Sequence, residues 1–367
     1  MKLGTISGDH SRPWLAGGRL MTCKLGTFSI AGCAPFPGLV VGERILSLEC
    51  IARSLSSSHR SLRGHNSMSA LLANWDYDWP LLEEVAEAVK FGRAPELLAL
   101  SAPLESMRVH APIPSPQHVY CSGANYRKHV VQLISAQASA ETNGMSAEER
   151  RQFGELKIDE RARNGTPFFF VKSRSAVTGP FDPIVLPDDA EQPDWELELA
   201  VVMGRTARRV SRERALDFVA GYTVANDITR RERVSREEGD AREMCTDWVA
   251  AKCAPTFLPL GPYLVPAAYV GDPQALRVTL KLNGNVMQDE STSDMIFAVA
   301  RLIESLSQIV ELQPGDVICT GSPAGNGAHY GRFLRPGDVL EGSITGLGTQ
   351  RNVCTEEAAV TGLQQRV

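Results

Sequence analysis

Two glutamates, Glu196 and Glu198, lie two positions apart inside the otherwise apolar segment DWELELAVVMG. In a β-strand, residues i and i+2 share a face, so the two carboxylates would project together. Two like charges that lie close together are costly to bury unless a cation or protons neutralise them. A strand face with two solvated glutamates is the alternative, and the apolar run that continues to Gly204 fits it less well.

A third carboxylate follows the apolar segment GYTVAN, where Asp227 begins the sequence DIT. Three oxygen donors without a histidine or cysteine at ligand spacing suit a hard divalent ion such as Mg²⁺, Mn²⁺ or Ca²⁺. Two glutamates separated by one residue are common in strands, so the spacing alone leaves both interpretations open.

The composition of the chain restricts its class. A length of 367 residues predicts one large and one smaller domain. The net charge of −5 argues against nucleic acid or a membrane as the main partner. The sequence contains no apolar run of about 20 residues and no apolar signal core at its start, which predicts a cytoplasmic protein. The 8 cysteines form no C-x-x-C pair and fit reduced thiols better than disulfides or a zinc site.

Three regions follow from the sequence pattern. Residues 1–21 are interpreted as a disordered extension or a gene-start artefact, because MKLGT and CKLGT look alike and Met21 could be an alternative start. Residues 22–112 predict a small N-terminal α/β domain, with short strands and a helix that stops at Gly92. Residues 113–367 predict a larger α+β domain that is mainly β, because strand patterns dominate and no βαβ series is visible.

Within the larger domain, SRERALDFVAG and SDMIFAVARLIESLSQIVEL predict helices, and the NGN at residues 283–285 predicts a hairpin turn. Ser146 and Glu149 have the spacing of a capping box, and Asn164 with Gly165 predicts the end of that helix. Long polar insertions often cover active sites, so residues near 130–165 are a candidate lid.

Seven segments in order resemble the fumarylacetoacetate hydrolase family over roughly residues 115–355. They are NYRKH, DWELELAVVMGR, GYTVANDIT, DWVAAKCAPTFLPLGPYLVP, LNGNVMQDESTSDMIF, LQPGDVICTGSPAGNG and FLRPGDVLEGSITGLGTQRN. The resemblance implies a mixed β-sandwich or β-roll catalytic domain, a small N-terminal domain and a homodimer.

The resemblance also implies a role for particular residues. The metal ligands would be Glu196, Glu198 and Asp227, holding Mg²⁺ or Mn²⁺, with Ca²⁺ as a further option. Lys252 would bind substrate oxygens as a compact positive charge, although a surface lysine is the alternative. The remaining substrate-binding positions implied by the resemblance are Tyr126, Arg231, Thr320 and Gly321.

His129 matches the histidine of the family motif N-Y-x-x-H, which in several members activates water together with a glutamate three residues later. Here that later position is Gln132, which can orient the imidazole ring but cannot balance the charge that develops on it. His129 would then act alone, or Glu141 or Glu149 of the candidate lid would substitute. An exposed helix residue without a catalytic role is the alternative for His129.

The function that the resemblance implies is metal-dependent hydrolysis of a carbon–carbon bond in a 1,3-dicarbonyl acid, such as an acylpyruvate or a fumarylacetoacetate-like compound, in the catabolism of aromatic or sugar acids. A decarboxylase, isomerase, hydratase or dehydratase of oxo acids would use the same site through a metal-bound enolate. A non-catalytic binding protein is the remaining alternative, against which the intact set of candidate residues argues.

Overall fold

The computed structural model describes residues 23–56, 59–136, 142–235 and 245–358. The predicted extension at residues 1–21 lies outside these ranges, as do residues 137–141 of the candidate lid and with them Glu141. Within the described ranges, no helix combines the length and the apolar character that crossing a bilayer requires.

The first part of the chain forms its own five-stranded antiparallel sheet with four helices. Its elements are β1 (Cys23–Ser29), β2 (Phe36–Val41), β3 (Arg44–Ser47), α1 (Leu48–Ser56), α2 (Met68–Ala73), α3 (Trp75–Lys90), α4 (Pro95–Leu100), β4 (Ala102–Pro103) and β5 (Arg108–Val109). The strand order is β4-β3-β2-β1-β5. Helix α3 ends just before Gly92, whose φ of 68° lies in the left-handed region that glycine adopts without strain.

The rest of the chain alternates short helices with many strands. In chain order the elements are β6 (Val119–Gly123), α5 (Arg127–Ala136), α6 (Ala147–Asn164), β7 (Phe168–Lys172), β8 (Val177–Thr178), β9 (Ile184–Leu186), β10 (Pro193–Asp194), β11 (Leu197–Met203), β12 (Val219–Asn226), β13 (Thr229–Arg230), α7 (Trp248–Lys252), β14 (Leu258–Pro259), β15 (Val265–Pro266), α8 (Ala267–Val270), β16 (Arg277–Leu282), β17 (Asn285–Ser291), α9 (Val299–Ile309), β18 (Val317–Cys319), α10 (Gly327–Tyr330), β19 (Val339–Ile344) and β20 (Gly348–Glu356).

Two larger sheets organise these elements. One has six strands in the order β15-β12-β11-β18-β6-β7, and the other has five in the order β17-β16-β19-β20-β9. Two-stranded pairs join β10 to β13 and β14 to β8. Most neighbours are antiparallel, but β18 and β6 are parallel, as are β20 and β9 and the pair β14 and β8. This sheet-dominated mixture of helices and strands confirms the predicted α+β, mainly β, class.

Strand β11, which carries Glu198, lies in the interior of the six-stranded sheet. All seven residues of β11 are buried, because β12 and β18 flank it and other layers cover both of its faces. A strand buried on both faces explains why the sequence runs apolar after Glu198 instead of alternating. The predicted hairpin is also confirmed: Asn283 and Gly284 have φ of 51° and 83° and connect β16 to β17.

Two predicted helices differ in the structure. In SRERALDFVAG only Ala215–Phe218 forms a short 3₁₀ turn, because the end of this segment belongs to β12, which pairs with β11, and the Phe218 carbonyl accepts from the Gly204 N–H at 2.8 Å. The second helix begins late, at Val299. The preceding backbone bonds to Asn125 instead of forming a helical turn.

The candidate lid consists of the helices α5 and α6, which pack on each other. The capping box of α6 is confirmed, since Ser146 accepts from the Glu149 N–H and the Glu149 carboxylate accepts from the Ser146 N–H. Glu149 is therefore engaged at the helix start and does not lie in the site. Ile158 is only 1% exposed and packs with Ile296 and Phe297, which anchors α6 to the main body.

The N-terminal sheet contacts the larger part of the chain directly. Leu25 of β1 and Leu264 exchange two backbone hydrogen bonds of 2.9 and 2.8 Å. One continuous apolar core contains residues from both parts, among them Leu25 and Trp75 from the first and Val201 and Leu264 from the second. The division into domains at residue 112 stays a prediction.

Candidate metal and active site

Neighbouring strands bring the three carboxylates together. Glu198 lies in β11, Asp227 directly follows β12, and the two strands pair so that Leu197 faces Asn226. Glu196 directly precedes β11, one position before the strand pairing begins, and its carbonyl accepts from the Asp227 N–H at 2.8 Å. One oxygen from each of the three side chains lies within 4.8 Å of the others. All three side chains are buried.

Three cations surround this cluster, and two of them, Lys252 and Lys172, are buried. The Lys252 ammonium donates to Glu196 Oε2 and Asp227 Oδ2, both at 2.6 Å. The Arg231 guanidinium donates to Glu196 Oε1 at 2.6 Å. The Lys172 ammonium donates to Asp227 Oδ1 at 2.5 Å. The structure therefore places the predicted residues Lys252 and Arg231 at the carboxylates and adds Lys172, which the sequence analysis did not single out.

The pKa values of the two glutamates shift in opposite directions because the two side chains have different partners. Burial raises the pKa of Glu198 well above its usual value, and the nearby Cys319 thiol and the carboxylates of Asp227 and Glu196 raise it further. Burial alone would also raise the pKa of Glu196, but Lys252 and Arg231 overcome that effect and hold it far below its usual range. Among the described residues, Glu198 is thus the member of the cluster without an ion pair, and it most needs a positive charge.

Backbone and hydroxyl donors at the end of β18 support Glu198. The Gly321 N–H donates to Glu198 Oε2 at 2.7 Å, and the Thr320 hydroxyl donates to the Leu199 carbonyl at 2.8 Å. Gly321 has a φ of 98°, and a Cβ there would lie 2.8 Å from Cβ of Asn125. Since both donors already have partners within the protein, the substrate-binding role of Thr320 and Gly321 stays a prediction.

Asn125, which was quoted only as part of the NY motif, connects three segments at the site. Its amide donates to the carbonyls of Phe297 and Thr320 at 3.0 and 2.8 Å, and its Oδ1 accepts from the Phe297 N–H at 2.9 Å. A buried asparagine beside a glycine-rich turn is a signal for such a connection, but its partners are more than 170 positions away and cannot be read locally.

Asp194 is a second residue that sequence reasoning missed. Its carboxylate accepts from the N–H groups of Gly327 and Ala328 at 2.6 and 3.1 Å and from Arg231 at 2.8 Å. It therefore fixes the guanidinium that pairs with Glu196. The acidic residue two positions before Glu196 was the available signal.

The candidate base lies on α5. His129 is 9% exposed, and burial lowers its pKa to about 4 despite the opposing effect of Glu196; Arg231 and Lys252 lower it further. The imidazole is therefore neutral at pH 7 and can accept a proton. Gln132 lies one helical turn later, on the same side of α5. Among the described residues, the Gln132 Oε1 and the Tyr126 hydroxyl are buried without a hydrogen-bond partner, and the Tyr126 ring is completely buried.

These residues fit a divalent cation. The donors are all carboxylate oxygens, the set that Mg²⁺ and Mn²⁺ prefer. The cluster is buried, and Glu198 has no cationic partner among the described residues to balance its ionised form. Glu196, Glu198 and Asp227 would hold the ion, and their role as ligands stays a prediction.

Comparisons with known proteins identify the family of the chain. The family "Fumarylacetoacetate (FAA) hydrolase C-terminal" matches residues 118–355. A 2,4-didehydro-3-deoxy-L-rhamnonate hydrolase of Sphingomonas sp. (strain SKA58) is 42% identical over 193 residues, which are 52% of this chain and 65% of that protein. The match thus covers slightly less than two thirds of that relative.

Two further proteins show the range of the relatives. An oxaloacetate tautomerase of Bacillus subtilis (strain 168) is 36% identical over 261 residues, 70% of this chain and 76% of that protein. A similar fold occurs in the crystal structure of maleylpyruvate hydrolase from Sphingobium sp. SYK-6 in complex with manganese(II) ion and pyruvate. The two sequences are 25% identical, and the TM-score is 0.64. That alignment covers 91% of this chain and 100% of the other.

The family match covers well over half of the chain, and solved structures of the family share the fold along nearly its whole length. The protein belongs to the fumarylacetoacetate hydrolase family of enzymes.

Proposed function

We propose that this protein is a divalent-metal-dependent hydrolase that cleaves a carbon–carbon bond in a 1,3-dicarbonyl acid of the acylpyruvate type. The observation that carries the proposal is the buried three-carboxylate cluster together with a neutral histidine, His129, whose pKa responds to the charge of Glu196. A bound divalent ion would supply Lewis acidity towards the oxygens of a 2-oxo acid.

The protein's own groups would perform the other steps. His129, which is neutral at pH 7, takes a proton from the water that attacks the distal carbonyl, and it returns a proton to the departing carbon. Lys252 and Arg231 provide fixed positive charge beside the carboxylates and attract an anionic substrate. The helices α5 and α6 would cover the reaction and exclude bulk water.

The relatives support this reaction class. The Sphingomonas relative is described as a hydrolase of a didehydro-deoxy sugar acid. The Sphingobium maleylpyruvate hydrolase was crystallised with manganese(II) and pyruvate. Both names fit an oxo-acid substrate, and the second also fits a divalent ion. We further expect a cytoplasmic homodimer that acts on a small oxo acid.

The test is a spectrophotometric screen of acylpyruvates and fumarylpyruvate with Mn²⁺, Mg²⁺ or EDTA. We expect metal-dependent loss of the enol absorbance and the formation of pyruvate and a free carboxylic acid. A Glu198→Ala variant, folded by circular dichroism, should be inactive, and a Glu105→Ala variant of an exposed glutamate should be fully active. A fully active Glu198→Ala enzyme would refute the metal assignment.

A second candidate function is tautomerisation of a 2-oxo acid such as oxaloacetate. Gln132 favours it, since an amide next to His129 cannot balance a developing imidazolium as glutamate would, and the Gln132 Oε1 has no partner among the described residues. The tautomerase of Bacillus subtilis is a relative of this chain. A tautomerase needs proton transfer at carbon but no activated water.

The two candidates predict different products. A tautomerase accelerates the decay of enol-oxaloacetate to the keto form without releasing a new acid, whereas a hydrolase yields two acids from an acylpyruvate. In the variant Gln132→Glu, hydrolysis of acylpyruvates should increase if the missing acid limits that reaction. No increase, together with rapid tautomerisation by the unmodified enzyme, would favour the second function.

A further inference from the structure

One oxygen of each carboxylate in the metal cluster is already held by a donor that belongs to the protein. The three pairs are Arg231 Nη2 with Glu196 Oε1 at 2.6 Å, the Gly321 N–H with Glu198 Oε2 at 2.7 Å, and Lys172 Nζ with Asp227 Oδ1 at 2.5 Å. A metal ion could therefore bind the other oxygen of each side chain without breaking these three bonds, but on Glu196 and Asp227 it would compete with Lys252, which donates to those oxygens at 2.6 Å.

Lys172 is the most completely enclosed of these donors. Its side chain is 0% exposed, whereas that of Arg231 is 23% exposed. The ammonium also donates to the Ile228 carbonyl at 2.9 Å, so it fixes both the carboxylate of Asp227 and the backbone that follows it. Strand β7, which carries Lys172, is itself fixed in register by β6, with Lys172 opposite Val119.

The other lysine of the cluster occupies a different position. Lys252 donates to Asp227 Oδ2 and to Glu196 Oε2, so these two oxygens face a common space. Lys172 holds Oδ1, the opposite oxygen of Asp227. As long as Lys172 stays in place, Asp227 can offer a metal ion Oδ2 but not both of its oxygens.

The number of oxygens that a carboxylate offers matters for the choice of metal. Ca²⁺ takes six to eight oxygen ligands at about 2.3–2.6 Å and often binds a carboxylate through both oxygens. Mg²⁺ requires an octahedral shell at about 2.0–2.1 Å and accepts single oxygens. A carboxylate that can present only one oxygen therefore suits the smaller six-coordinate ions.

We propose that Lys172 is a positioning residue that fixes Asp227 as a one-oxygen donor and thereby gives the site its preference for Mg²⁺ or Mn²⁺ over Ca²⁺. The inference rests on the proposed metal site. It assigns to this buried lysine a role in metal choice that neither Lys252 nor Arg231 fulfils, because Lys252 bonds the other oxygen of Asp227 and Arg231 bonds Glu196.

The test measures the affinities of Mn²⁺ and Ca²⁺ by titration calorimetry for the unmodified protein, Lys172→Met and Lys281→Met, the last being an exposed strand lysine as a matched control. In Lys172→Met the Mn²⁺ affinity should fall by about 10–100-fold, as for other residues that orient metal ligands. The Ca²⁺ affinity should fall less, because Asp227 gains a free second oxygen. The Mn²⁺/Ca²⁺ affinity ratio should therefore decrease by about tenfold or more, and Lys281→Met should leave it unchanged.

A purely structural role predicts a different outcome, in which both affinities change by the same factor and the ratio stays constant. That result would overturn the proposal. Lys172→Gln has a shorter, uncharged polar side chain and should also lower the Mn²⁺/Ca²⁺ affinity ratio. It replaces Lys172→Met in the test if the methionine variant does not fold.

A second measurement uses the unmodified protein alone. A crystal structure with Ca²⁺ should show Asp227 bound through one oxygen and the Lys172–Oδ1 bond intact. A two-oxygen Asp227 with a displaced Lys172 would refute the inference whatever the variants do.

These outcomes are separate from those of the proposed function. If the protein binds Mn²⁺ but converts none of the oxo acids, the proposed reaction is wrong while the role of Lys172 stands. If an active enzyme shows an unchanged ratio in both variants, only the role of Lys172 is wrong.

Discussion

Replacing Glu198 by glutamine separates its role as a metal ligand from its role in folding. Glu198 is fully buried, and its pKa lies well above its usual value because of burial and the neighbouring Cys319, Asp227 and Glu196. Without a metal ion, burial therefore favours the uncharged acid form of Glu198. A glutamine has the same shape, and its oxygen can accept the bond from the Gly321 N–H that Glu198 accepts at 2.7 Å.

The expected cost to the metal-free protein is accordingly small. The new amide group adds a buried donor without an assured partner, which costs about 1 kcal/mol in the free energy of unfolding. The effect of a metal should be larger. An ion at 100 times its dissociation constant stabilises the folded protein by about 2.7 kcal/mol, and a hundredfold loss of affinity at the same concentration leaves about 0.4 kcal/mol.

The assay is thermal unfolding of the unmodified protein, Glu198→Gln and the surface control Glu105→Gln, each with EDTA or Mn²⁺. Without metal the three curves should lie close together. Mn²⁺ should raise the unfolding temperature of the unmodified protein and of the control by about 5 °C, at roughly 2 °C per kcal/mol for a chain of this size. The unfolding temperature of Glu198→Gln should rise by only about 1 °C. Equal stabilisation of Glu198→Gln by Mn²⁺ would show that Glu198 is not a ligand. A loss of several kcal/mol without metal would show that its charge is structural.

Three further predictions concern catalysis, backbone geometry and pH. His129→Asn should lower kcat by about 10²–10⁴-fold while Mn²⁺ affinity, measured by calorimetry, stays within a few-fold; an equal loss of both would contradict a role as base. Gly321→Ala should destabilise the protein by about 1–3 kcal/mol in urea, because φ is 98° and its Cβ would approach that of Asn125; an unchanged unfolding midpoint would refute this. The pKa of Asp338 lies below its usual value, although burial opposes this, because Arg332 donates to both of its oxygens. A lowered pKa stabilises the fold above the unfolded value of about 3.9 and loses this effect as the pH falls through the folded value. Asp338→Asn should therefore cost about 1–3 kcal/mol at pH 7 and less near pH 3, and a constant difference across this range would contradict the assignment.

The local sequence predicted those elements whose signals lie within a few residues. The capping box at Ser146, the hairpin at Asn283 and the helix end before Gly92 depend on nearest-neighbour chemistry and are all present. The α+β class and the family membership were also predictable, since the pattern of strands and seven ordered motifs are properties of the chain alone.

The first helix prediction was wrong and the second placed the start of its helix too early, and both differences have one cause. Near Ala215 and before Val299 the local pattern favours a helix, but backbone groups there bond to distant partners such as Gly204 and Asn125. Such bonds offer the backbone an alternative to helical hydrogen bonds, and propensity is too weak to compete with them. No local window contains both partners.

The sequence predicted the residues of the candidate site but not the contacts between them. Glu196, Glu198 and Asp227 were proposed from residue type, strand spacing and the family resemblance, since each ligand lies beside a strand whose pattern is visible in the sequence. The sequence does not show which cation faces which oxygen. Lys172 lies 55 positions from Asp227, and three strands separate β7 from β12 in the six-stranded sheet, so only the three-dimensional course of the chain brings the two side chains together.

The sequence by itself thus determined which chemistry the chain can carry: oxygen ligands for a hard cation, one histidine, and glutamine in place of a glutamate. The tertiary structure decided the charge state and the orientation of those groups. Burial and neighbouring charges set the pKa values of Glu198 and His129, and donors from distant strands hold one oxygen of each carboxylate. Electrostatic energies depend on distances and on exclusion of water, and both exist only once the chain has folded.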